Sequence, residues 1–200
     1  SKLAMREAQR WVSSLRLFYG VRVALGIAVL ALVIATLQES DFEKTSLLVE
    51  VAVGVGVLAV VFAGTALLPY QPLFWSVLLS SMLTVNAIGL AFTRGWAASL
   101  EAIWAFASWG AIGVLAPARR IMREHPDEYW VHAMAGTLSR RNMHRADTSA
   151  PAPTSADMLA SARRQAAILA ASGSATILLA AALGMWRRYE YVHPGNFARV

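Results

Sequence analysis

Cysteine is absent from the 200 residues, which excludes disulfides, thiolate metal ligands and a cysteine nucleophile. Charge is scarce as well. Asp, Glu, Lys and Arg make up 15% of the chain and apolar residues 57%, against roughly 25% and 45–50% in soluble domains. Histidine is missing from every long apolar stretch, because His125, His132, His144 and His193 all lie outside them. A transmembrane b-type haem needs axial histidines within its spans, so none is expected here. His125 and His132 share a helical face but lack cysteine or carboxylate neighbours at ligand spacing, and no metal site is expected. The chain also has no Gly-rich phosphate loop, no HExxH and no G-x-S-x-G, so no catalytic residue is expected from its motifs.

What is present is oil-length sequence. Five blocks are nearly bare of charge: 18–37 with Arg22 alone, 46–68 with Glu50 alone, 73–92 with none, 96–116 with Glu101 alone, and 165–186 with none. Each reaches the ~20 residues that, at about 1.5 Å rise, cross the roughly 30 Å hydrocarbon core. A soluble helix would carry polar residues on its outer face at every turn, and these do not. No alternation of apolar and polar residues points to membrane strands. Where no water solvates the backbone, helix remains. The sequence therefore predicts an all-α integral membrane protein with about five transmembrane helices, its first partner being the lipid bilayer.

The expected organisation is an N-terminal interfacial helix over 1–17, a four-helix serpentine over 18–116, a basic segment over 117–164, a fifth transmembrane helix over 165–186 and a tail over 187–200. Block 18–37 is too long for a signal-peptide core and is read as a retained span. In 1–18, Leu3, Ala8, Trp11, Val12, Leu15 and Phe18 recur at helical spacing, with Lys2, Arg6, Arg10 and Arg16 elsewhere, as in an interfacial helix. A second such helix is expected from Pro126, with Asp127 and Glu128 in its first turn and Trp130, Met134 and Leu138 on one face. The stretch 146–157, ADTSAPAPTSAD, has the composition of a flexible linker. Links as short as 69–72 and 93–95 force antiparallel neighbours, with Pro69 and Pro72 stopping one helix and starting the next.

Charge placement orients the chain. With the N-terminus in the cytoplasm, all but Lys44, Arg94, Arg187, Arg188 and Arg199 of the 18 Lys and Arg stand on the inner side. The positive-inside bias thus predicts N-in and C-out, with Arg187, Arg188 and Arg199 dissenting. The +6 net charge is accounted for by these flanks, and no nucleic-acid partner is expected. Ala- and Arg-heavy usage fits a high-GC bacterium, whose inner membrane is the expected location.

The candidate intramembrane polar residues are Arg22, Glu50, Asn86 and Glu101; the three ionisable ones are expensive in lipid, which makes each a functional hypothesis by default. Arg22 has the reach to snorkel to phosphates. Glu50 and Glu101 enter from the same outer face, about one turn deep, near Glu39, Asp41 and Glu43. Ser80 and Thr84 share a face of the third span, which Asn86 does not. The candidate helix-packing residues are Gly54, Gly56, Gly64, Ala166, Ala170 and Ser174, with a second row at Ala167, Ala171 and Ala175; small residues four apart let membrane helices approach closely. Trp75, Trp96 and Trp186 fall at span ends, as in aromatic belts. Trp104 and Trp109 inside the fourth span are candidates for contact with a partner helix, pigment or quinone, and the cofactor is otherwise unknown.

Taken together, these features favour a non-catalytic accessory or scaffold subunit of a larger inner-membrane complex (respiratory, photosynthetic or transport-related), with other membrane subunits as partners. The alternative is a small transporter or channel component using the outer acidic residues. A third reading, a lipid-acting enzyme, would rest on His125, Asp127, Glu128 and His132.

Overall fold

Long runs of Leu, Ala and Val with few breakers set the architecture. No proline occurs before Pro69, so nothing interrupts the backbone ladder at the junction of the N-terminal segment and the first span. In the computed structural model, which describes residues 2–93, 95–124 and 155–193, these form one helix, α1 (Lys2–Thr36). A single-turn α2 (Glu39–Phe42), α3 (Thr45–Leu67), α4 (Pro72–Thr93), α5 (Gly95–Glu124) and α6 (Ser155–Val192) follow. No strand occurs among the described residues. Pro72 opens α4, where its missing N–H is one that a helix start leaves unpaired anyway.

Among the described residues, four helices are long and apolar enough to cross a membrane: Arg10–Thr36, Thr45–Leu67, Pro72–Phe92 and Arg163–Val192. The expectation was about five. The remaining block, 96–116, lies in α5, which is not among those four and runs on through Pro117 to the basic residues Arg119, Arg120 and Arg123. Ser155–Asp157, expected at the end of a flexible linker, instead open α6. The surface helix expected from Pro126, with His125 and His132, and the tail beyond His193 lie outside the described residues.

Two units divide the chain, one holding Ser1–Arg16 and Ala66–Ile168, the other Leu17–Thr65 and Leu169–Val200. In the first, α4 and α5 pack along each other, burying Leu79, Leu83 and Ala105. In the second, Ile34 of α1, Val51 and Val55 of α3 and Ala181 of α6 form a buried cluster flanked by Leu30, Val33, Ile177 and Met185.

These cores are narrow. Phe92 is 87% exposed and Phe106 83%, and Val29, Leu32, Val53, Val85, Ile103 and Leu179 also face outward. Apolar surface on this scale is solvated by lipid tails far better than by water. Hydroxyls along the helices bond back to their own backbone, as Thr65 Oγ1 does to the Val61 carbonyl (2.7 Å) and Thr176 Oγ1 to that of Ser172 (2.8 Å). That is how such side chains are satisfied where no water reaches them.

Candidate functional site

Ser76, Ser80 and Thr84 recur every fourth residue and so line one stripe of α4. α5 runs antiparallel to that stripe and supplies its complements. Ser108 Oγ lies 2.5 Å from Ser80 Oγ. Ser80 also bonds the Ser76 carbonyl at 2.7 Å; with its single proton used there, Ser108 is the donor of the inter-helix bond. The Trp109 indole N–H donates to Thr84 Oγ1 (3.0 Å). Nearer the hairpin end, Asn86 Nδ2 donates to Glu101 Oε1 at 2.6 Å. Ser76, Ser80 and Ser108 have no exposure and Glu101 only 5%, while the Ser76 hydroxyl is buried without a hydrogen-bond partner. This is a polar seam inside an apolar hairpin. The chain matches no family model, no curated protein and no solved structure.

The seam collects residues that the sequence offered separately. Asn86 and Glu101 meet directly, and Trp109 is fixed by Thr84. Trp104 is half-buried on α5. The face argument that set Asn86 apart from Thr84 holds along α4, yet both reach α5, because two packed helices touch over a stripe wider than one residue row. Ser108 was missed; its only signal was a hydroxyl in an Ala-rich span opposite Ser80.

Glu50 stands exposed on α3, in the second unit, whereas Glu101 is buried in the first. Arg22 is half-buried, with Nη1 over Gly26, one turn further along α1, instead of extending back toward the N-terminal end. Gly54 and Gly56 border open space, while Gly64 is buried. The close approaches fall at other glycines. A Cβ on Gly26 would sit 2.6 Å from Leu58 Cδ1, and one on Gly173 would overlap the Phe62 ring. Of the small residues on α6, Ala170 is buried, Ala166 is half-buried, and Ser174 donates to the Ala59 carbonyl of α3 (2.9 Å). Ala167, Ala171 and Ala175 remain exposed.

A second polar group gathers in the second unit where α1 ends. Arg188 Nε donates to the Leu37 carbonyl (2.8 Å) just past the C-terminus of α1, where backbone acceptors lack intrahelical partners and the dipole favours a cation. Arg188 is thus tied to a local acceptor. His193 stacks on Tyr189 and approaches Glu39 Oε1 at 3.8 Å, and Phe42 packs edge-on against Tyr189. Asp41 accepts from the Gln38 backbone N–H (3.0 Å) and from Lys44 (3.1 Å). The backbone bond, with Lys44 adding to it, holds its carboxyl below the ordinary 3.8. In the first unit, burial raises the Tyr70 phenol in the α3–α4 turn, opposed by the positive fields of Arg16 and Arg163.

Proposed function

We propose that the protein is a non-catalytic accessory or scaffold subunit that crosses a bacterial inner membrane five times and binds other membrane subunits. The observation that carries this reading is the seam. Ser80 and Ser108, Thr84 and Trp109, and Asn86 and Glu101 are directed at one another across α4 and α5, as in a structural clasp. The exposed Ala171 and Ala175 extend the argument: one small-residue face of α6 is used on α3, and its neighbour is left for an apolar helix of another subunit.

Several contacts support α5 as the fifth span and the N-in, C-out orientation. α5 is aligned antiparallel with α4 at least from Glu101, beside Asn86, to Ser108, beside Ser80. The end of α6 is in contact with the α1–α3 link through Arg188 and His193. A spanning α6 that finishes there starts from the opposite face, so the chain must cross once more between α4 and α6. Within the first unit the positive fields of Arg16 and Arg163 reach Tyr70 in the α3–α4 turn, which fits a cytoplasmic face rich in cations.

The test is purification of the full chain in mild detergent. The expected result is a complex of fixed stoichiometry that loses its partner in the Ala171→Leu, Ala175→Leu double variant. A monomer that carries solute flux unaided overturns the reading. The transporter alternative is favoured by one feature, the buried Glu101 carboxylate, and it requires Glu101→Gln to abolish flux while folding is unchanged.

A further inference from the structure

A groove of about 420 Å³ runs between α1 and α6, walled by Ala31, Ile34 and Ala35 on one side and Ala180 and Gly184 on the other. Its depth follows from residue size: alanines and a glycine leave space that larger side chains would fill. Arg187, Arg188 and Tyr191 line the same groove at its C-terminal end. From Ala180 to Arg188 the helix rises about 12 Å, so the groove leads from apolar walls to a doubly cationic mouth.

The cations are available to a ligand. Arg187 makes no hydrogen bond or ion pair with the described residues. Arg188 is held in position through Nε on the Leu37 carbonyl and by packing over the Tyr191 ring, 5.2 Å from its centroid. The neighbouring acids are engaged elsewhere, Glu190 with the Trp186 indole N–H (2.9 Å) and Glu39 with His193 (3.8 Å). Trp186 and Tyr191, near the end of an apolar helix, mark headgroup depth.

We infer that this groove holds one acyl chain of an anionic phospholipid, with the lipid phosphate against Arg187 and Arg188. Guanidinium forks match phosphate oxygens in a two-pronged geometry. The inference depends on membrane embedding and is independent of the scaffold role.

Native mass spectrometry of the full chain, with phosphatidylglycerol and phosphatidylcholine of identical chains, provides the test. Phosphatidylglycerol is expected to be retained at least about fivefold better, on the basis of one arginine's contribution. Arg187→Gln, which breaks no hydrogen bond or ion pair among the described residues, lowers that preference about fivefold and leaves phosphatidylcholine unchanged. Ala35→Leu, which fills the groove, lowers retention of both. Inorganic phosphate does not displace the lipid. Equal retention of the two lipids, an unchanged preference in Arg187→Gln, or full displacement by phosphate overturns the inference. So does a dimer cross-linked through this groove that dissociates in Ala31→Leu, since a second copy would then be the occupant.

Discussion

Replacing Asn86 by Leu is expected to destabilise the α4–α5 hairpin by about 2 kcal/mol, within the range for removing one partner of a buried hydrogen bond. The substitution removes the amide that donates to Glu101 at 2.6 Å while the carboxylate stays buried at 5% exposure. Glu101→Gln keeps an acceptor oxygen for the same amide and should lose less than about 1 kcal/mol, the span of neutral hydrogen bonds. The Asn86→Leu, Glu101→Leu double variant should be more stable than the sum of the singles by about 1 kcal/mol or more, because neither partner is left behind. Reversible unfolding in mixed detergent micelles measures all four corners of the cycle. A coupling near zero would mean that the clasp contributes nothing to the hairpin.

Gly173→Leu is the second large effect. A side chain there must enter the space of the Phe62 ring, so α6 has to move away from α3 and release the Ser174–Ala59 bond. Overpacking with a lost hydrogen bond suggests a cost of about 3 kcal/mol. Phe62→Ala in the same chain should recover part of it by vacating the ring's volume. Gly54→Leu is the contrast, since nothing lies within 4 Å of its Cβ position, and its effect should stay within about 0.5 kcal/mol. Thermal unfolding in one detergent compares the three. Equal losses at Gly173 and Gly54 would contradict the α3–α6 contact.

These two experiments mark where sequence reasoning carried and where it stopped. Block length and lack of charge located the helices, because both follow from bilayer thickness and backbone desolvation and need no knowledge of neighbours. Chain pairing is another kind of information. Gly54 and Gly173 look alike in composition, yet only one meets a ring, and that depends on which helix lies opposite. Asn86 and Glu101 were each visible as polar residues in oil, and the tight link at 93–95 already implied antiparallel helices. Their register came from packing alone. The α1–α6 groove was invisible for the same reason: Ala31, Ala35 and Gly184 are ordinary in an apolar helix until two helices set them face to face. On α6 the close approach to α3 falls on Gly173, which lies between the candidates Ala170 and Ser174.

Topology is the point on which the whole description turns, and the absence of cysteine makes it directly measurable. Ser40→Cys and Ser139→Cys, each the single thiol in its chain, can be labelled with an impermeant maleimide in intact cells and in inverted vesicles. Five spans with a cytoplasmic N-terminus give labelling of residue 40 only from outside and of residue 139 only from inside. Labelling of both from one side would contradict the five-span path.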